Sequence, residues 1–208
     1  MSDTPADPHR SAQLHDARAW WDGLDEAWRS AFEAIVPDLV SPTGGPDADA
    51  LLALFSRETL RLAGPNSPYP DLAFELTDLS GVAGLRSLSF LSVTGMQITS
   101  LRPIAGLTAL QHLFVNDNAL ESLDGIEDLT RLESLYCQGN RITSLAPIEG
   151  LTRLQTLYVS RNRIERIDGL HAGHIPALQD FFVLPNEKLQ ATEIARVQTE
   201  LGVLCRRG

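Results

Sequence analysis

The amino-acid sequence predicts an α/β solenoid, with short parallel strands side by side on one face and the chain returning along the other. Three observations predict it. The first is a repeat of 22 residues, counted from Leu85, Leu107, Leu129 and Leu151. Positions 1, 4 and 7 of every copy are leucine. Position 9 reads Val93, Val115, Cys137, Val159; position 14 reads Ile98, Leu120, Ile142, Ile164; position 17 reads Leu101, Leu123, Leu145, Ile167; position 20 reads Ile104, Ile126, Ile148, Leu170. With 43% of the chain apolar, chance would fill these 28 places with apolar residues at a probability on the order of 10⁻¹⁰. The repeat is therefore a structural unit.

The second observation is a change of period inside each copy. Positions 6 to 10 alternate, with 7 and 9 apolar, which is the period of a short strand. From position 14 through position 7 of the next copy, apolar residues recur every three residues, a spacing that fits 3₁₀ turns or polyproline II. Pro103 and Pro147 alternate with Gly125 and Gly169 at position 19 and exclude a helix interior there. The third observation is a short amide at position 12: Asn118, Asn140 and Asn162. A turn buried between coils needs a side chain with both a donor and an acceptor. Met96 takes that place in the first copy and predicts a less regular turn. A single coil has no core, so coils must stack, which lays their strands about 4.8 Å apart.

The segments LTALQHLFVNDNALESLDGIED, LTRLESLYCQGNRITSLAPIEG and LTRLQTLYVSRNRIERIDGL resemble the leucine-rich repeat family. The resemblance is to the 22-residue class of bacterial internalins and of the regulatory subunit of protein phosphatase 1. It implies a right-handed superhelix with a parallel concave sheet, a convex side of 3₁₀ and polyproline II segments, and helical N- and C-terminal caps. It also implies a concave face that binds proteins.

Before the repeats, residues 1–11 are polar and are expected to form a disordered lead. A helical N-terminal cap is expected over 12–58. In it Trp28, Phe32, Ile35 and Val36 share one helical face, with Asp25 as N-cap and Pro37 as stop. Trp20, Trp21 and Leu24 come from the turn before that helix, and a second short helix runs from about Asp47 to Phe55. The three tryptophans suit either a binding patch or a cover for the apolar end of a solenoid; a cover is the expectation. The repeats are expected over 59–189: an irregular first coil (59–84, with Leu60, Leu62, Leu76, Leu79 and Val82), regular coils (85–174) and a last coil (175–189). The insertion GPNSPYPDLAF at 64–74 suits a functional loop or a tolerated one. Residues 190–208 form a C-terminal cap, with Ile194, Val197 and Leu201 at helical spacing, and a solvated tail at Arg206 and Arg207. The whole is expected to be one domain.

The expected partner site follows from the alternation, since positions 6, 8 and 10 must face out where 7 and 9 face in. Position 8 reads Ser92, Phe114, Tyr136, Tyr158, Phe182, which predicts an aromatic column on the concave side. Phe90 and His112 at position 6, and Asn116, Gln138 and Ser160 at position 10, flank it. Arg141, Arg161 and Arg163 line one rim and suit a partner's carboxylates. The rings suit a protein interface or mutual stacking within the sheet, and the two are compatible.

The chain is acidic, with a net charge of −10, and residues 1–84 hold fourteen carboxylates against five arginines. That sign argues against nucleic acid and anionic membrane as partners. No apolar run approaches the roughly 18 to 20 residues of a membrane span, and no basic, apolar leader opens the chain. Cys137 and Cys205 do not pair in the pattern, so the expected location is cytoplasmic. His171 and His174 are three apart without further ligands, which leaves the HAGH segment a loop rather than a zinc site. No phosphate cradle and no acid–base set is placed by the repeat, so no cofactor, no metal and no catalysis are expected. The expectation is a monomeric, non-catalytic module that binds a protein partner. An enzyme's regulatory subunit, as for a phosphatase or GTPase, and a bacterial effector or toxin-immunity protein are the competing roles.

Overall fold

Segments of period two become strands, each one coil from the next. The strands β1 (Thr59–Ala63), β2 (Phe90–Thr94), β3 (His112–Phe114), β4 (Ser134–Tyr136), β5 (Thr156–Tyr158), β6 (Asp180–Leu184) and β7 (Arg206–Arg207) pair in chain order as one parallel sheet. The computed structural model describes residues 8–36, 39–40, 45–65 and 74–208. Within it the chain divides into two compact units, 1–57 and 58–208, where the sequence reading has one domain.

Register in the second unit follows the repeat. Leu60, Leu91, Leu113, Leu135, Leu157 and Phe181 lie opposite one another along the sheet, and none is more than 1% exposed. The irregular first coil closes with Leu76, Leu79 and Val82 buried. The return path carries 3₁₀ turns at Ser80–Val82, Arg102–Ile104, Ala146–Ile148 and Ala172–His174. Pro103 and Pro147 sit in the first turn of theirs, where a missing N–H costs nothing. Gly125 and Gly169 lie in coils between, with φ of 107° and 76°. A Cβ on Gly125 would come within 2.7 Å of the Arg102 backbone, so only glycine lets that coil lie against the preceding turn.

The position-12 amides form a ladder through the interior. Asn140 donates from Nδ2 to the carbonyls of Val115 (2.9 Å) and Cys137 (3.0 Å), and its Oδ1 accepts from the Leu120 N–H (3.0 Å). Asn118 and Asn162 repeat this arrangement one coil away on either side. Asn186 extends it, accepting from the N–H groups of Asn162 and Ile164. Each amide thus ties its own turn to the coil before it. Met96 is buried in the corresponding place of the first copy and has no amide for such a bond; among the described residues that coil takes its ladder contact from Asn118 alone.

Beyond β6 the repeat gives way to α4 (Ala191–Arg196), continued by a wider turn over Val197–Leu201. Glu193 accepts from the Ile167 N–H (3.1 Å) and Arg196 donates to the Ile167 carbonyl (3.0 Å). In the coil before, Asp168 serves the equivalent Leu145 N–H (2.8 Å). The helix therefore supplies to Ile167 the pairing that a further coil gives to Leu145. The residues expected to form a solvated tail, Arg206 and Arg207, instead form β7 against β6.

The first unit holds α1 (Pro8–Asp22), α2 (Glu26–Ile35) and α3 (Ala48–Phe55). Asp25 caps α2 by accepting from the Trp28 N–H (2.8 Å), and Asp47 caps α3 by accepting from the N–H groups of Asp49 and Ala50. Trp20 and Trp21 lie in the last turns of α1, not in a turn before α2, and residues 8–11 are its first turn rather than a disordered lead. Trp20 packs edge-on to Phe32 (5.2 Å between centroids) and near Phe55 (5.6 Å). The rest of the expected lead, the stop at Pro37 and most of the 64–74 insertion fall outside the described residues.

Candidate functional site

Strand alternation places every second side chain on the outer face of the sheet, and at position 8 the paired residues are Arg61, Ser92, Phe114, Tyr136, Tyr158, Phe182 and Arg206. Parallel register brings these rings within contact of each other. Phe114 and Tyr136 stack at 4.5 Å with planes 11° apart, Tyr136 and Tyr158 meet edge-on at 5.7 Å, and Tyr158 and Phe182 tilt together at 4.8 Å. All four rings are half-buried. Phe90, expected as a flank from position 6, joins the column itself. Ser92 is too small to fill its place, and Phe90 stacks on Phe114 across the gap at 5.1 Å.

Both ends of the column carry a cation, which sequence reasoning missed. The Arg61 guanidinium lies 4.7 Å from the Phe90 ring centre, and that of Arg206 lies 5.9 Å from the Phe182 ring centre. Arg61 was legible as the residue between Leu60 and Leu62. Arg206 had no signal, because a two-residue strand has no periodicity. Arg206 also pairs with Asp180, whereas Arg61 has no ion pair among the described residues.

The flanking residues divide. His112 bonds through Nδ1 to the Ser134 hydroxyl (3.1 Å), and Asn116 donates to the Asp117 carboxylate (2.8 Å); both are half-buried beside the column. Gln138 is half-buried, with Oε1 enclosed and unpaired among the described residues. Ser160 is a correction: it is wholly buried, so it offers a partner no surface. β5 ends at Tyr158, and by Ser160 the chain has already turned inward.

On the rim, Arg141, Arg161 and Arg163 are exposed. Arg161 reaches the Asp117 carboxylate at 3.9 Å, while Arg141 and Arg163 have no ion pair among the described residues. Position 11 of each regular coil is left-handed: Gly95 (φ 68°), Asp117 (55°), Gly139 (70°) and Arg161 (53°). Glycine accepts this conformation freely and aspartate tolerates it, but a long side chain is strained in it.

The histidines of the HAGH segment are structural. His171 Nε2 bonds to the Glu149 carbonyl (3.0 Å) and His174 Nε2 to that of Ile148 (3.1 Å), and the two rings cap the 3₁₀ turn between them. The segment is a turn, not a free loop. Among the described residues no group of three or more His, Cys, Asp or Glu side chains is placed to hold a metal ion. Cys137 and Cys205 are unpaired, and burial pushes both thiols up from their usual range. No described helix is long and apolar enough to cross a membrane.

A family profile described as Leucine Rich repeats (2 copies) matches residues 108–150 and again 130–171. No curated protein matches the sequence significantly. Among solved structures, internalin C2 of Listeria monocytogenes is 28% identical, covering 66% of this chain and 55% of its own, with a TM-score of 0.53. A second Listeria monocytogenes internalin, inlF, is 24% identical over 72% of this chain and 41% of its own, with a TM-score of 0.57. A leucine-rich repeat protein of Leptospira interrogans is 23% identical over 71% of this chain and 36% of its own, with a TM-score of 0.55. The last two likenesses speak for the fold alone, and the aligned region spans about half or less of each of these proteins. The profile identifies residues 108–171 as leucine-rich repeats, and the 22-residue period and parallel sheet around them resemble the fold of the internalins.

Proposed function

We propose that this protein is a non-catalytic interaction module that holds a partner protein on its concave face through the column Phe90, Phe114, Tyr136, Tyr158 and Phe182. The observation that carries the reading is a continuous row of half-exposed rings across five neighbouring strands, with no described segment of the second unit laid along it except the Arg206–Gly208 end. Aromatic side chains anchor protein interfaces because they bury large area at small entropic cost.

Ring geometry favours a protein over a sugar or a nucleobase. From Phe90 to Tyr136 the faces are turned toward one another, so the edges point into the hollow, and a stacking ligand needs faces. The flanking groups are amides, hydroxyls, one imidazole bonded to Ser134, and the Asp117 and Asp180 carboxylates, which face Arg161 and Arg206; this set suits binding and pairs no acid with a base. Two unpaired cysteines suit a reducing, cytoplasmic setting, and a monomer is the simplest state for the module.

Affinity capture with the wild type and with the Tyr136→Ala/Tyr158→Ala variant tests the reading. A partner retained by the wild type and lost by a variant that still unfolds cooperatively is the expected result. Equal capture by both would remove the column from the site. Adding the captured partner's enzymatic assay separates a regulatory subunit, which changes the rate, from a scaffold, which does not.

A further inference from the structure

The hollow and its rim have the opposite charge to the chain as a whole. The protein carries −10. Around the column stand Arg61, Arg141, Arg161, Arg163 and Arg206; of the carboxylates beside them, Asp180 pairs with Arg206, and Asp117 accepts from Asn116 and lies 3.9 Å from Arg161. Glu187, which follows Asn186 where Arg141 and Arg163 follow theirs, is the acidic exception on that row. Arg61, Arg141 and Arg163 have no carboxylate partner among the described residues. The ring edges that face the hollow add the positive side of the aromatic quadrupole to this field.

Backbone strain points the same way. Arg161 sits at φ 53° in a place where two other coils use glycine, and its exposed contact with Asp117, at 3.9 Å, is too long and too wet to offset the cost of that conformation. Strain held at a rim without a folding benefit marks a residue kept for what it meets outside the chain.

Resting on the reading of the concave face as the partner site, we propose that its occupant is an acidic protein segment. It lies across the strands, sets apolar side chains along the ring column, and meets Arg61, Arg141, Arg161 and Arg163 with aspartate or glutamate carboxylates. Five strands about 4.8 Å apart make a column of about 19 Å, which roughly 13 helical residues or six extended ones would span.

A display library of random peptides about 16 residues long, selected on the full-length protein, supplies an unbiased probe. The expected outcome is enrichment of Asp and Glu together with large apolar residues. A synthetic peptide of the winning sequence should bind more weakly as salt rises, and at least tenfold more weakly to Arg141→Glu/Arg163→Glu. Arg161→Gly should weaken it severalfold while raising the denaturation midpoint. Winners without acidic enrichment, an affinity indifferent to the arginine variants, or no enriched sequence would overturn the inference. Loss of binding in Tyr136→Ala/Tyr158→Ala with full retention in the arginine variants would leave the column reading standing and sink only the acidic partner. The reverse pattern would sink the column reading. A concentration-dependent dimer by sedimentation, abolished by the tyrosine variant, would assign the hollow to a second copy and overturn the proposal.

Discussion

On the inner face of the sheet Leu91, Leu113, Leu135 and Leu157 are wholly buried, while one residue further along each strand Ser92, Phe114, Tyr136 and Tyr158 are only half-buried. Both rows have the same register and the same coil-to-coil spacing. They differ in what lies over them. The leucines are covered by the return path, whose apolar residues point at them every third position. The rings are covered chiefly by one another. A side chain's depth in this solenoid is thus decided by the segment across from it, and alternation along the strand reports only which segment that is.

Neighbouring truncations break or support that comparison most directly. Leu135→Ala should cost about 2 to 5 kcal/mol, as for leucines removed from a packed core. Tyr136→Ala, one residue away, forfeits two ring contacts at roughly 0.2 to 1 kcal/mol each, and so should cost about 2 kcal/mol at most. Urea unfolding of the two variants checks the ratio. Equal losses would mean that the outer face is core, and the column would cease to be a surface.

The amide ladder gives the next largest effect. Asn140→Ala strands the Leu120 N–H in the interior, at about 1 to 3 kcal/mol, while the Val115 and Cys137 carbonyls keep the second amide donors of Asn118 and Asn162. Asn118 makes the same bonds but is less buried and lies next to the Met96 turn, so water can replace part of what is lost. Asn118→Ala should therefore cost less than Asn140→Ala by the same measurement. A larger loss at Asn118 would show that the Met96 coil depends on its single ladder contact more than the regular coils do on theirs.

The inner face was legible almost residue by residue, because burial there is enforced by period and a single misplaced polar group would be costly. The column at Phe114, Tyr136, Tyr158 and Phe182 was legible for the same reason. What escaped lies where the pattern stops constraining the chain. Alternation extended past Tyr158 puts Ser160 on the outer face, but there the strand has ended and the turn has begun. Phe90 enters the column because Ser92 leaves room, a fact about volume that periodicity does not carry. The i,i+3 histidines were read as part of a loop rather than a zinc site, and the capped 3₁₀ turn they form is seen only through their carbonyl partners. Trp20 and Trp21 belong to α1, whose sequence has a weak apolar stripe and so carries no clear helical period.

At the last coil the inner face loses its successor, and the comparison can be sharpened by asking whether α4 replaces it. Hydrogen bonding from Arg196, followed by the bond from the Ile167 N–H, holds the Glu193 carboxyl below the usual carboxylate range against an opposing effect of burial. A carboxylate depressed in the folded state contributes stability that is fully present above its unfolded pKa, about 4.3, and is lost as pH falls through the lower folded value. Glu193→Gln keeps an oxygen for the Ile167 N–H and removes the charge. The stability difference between wild type and variant should then be flat above about pH 5 and shrink below pH 4. It should also be smaller than the loss at Asn118 or at Tyr136, because the pair is partly exposed to solvent. Chemical denaturation at several pH values measures it. A difference that does not change with pH would mean that α4 closes the inner face by hydrogen bonding and packing alone, with Leu145 and Ile167 served alike by an acceptor whose charge is immaterial.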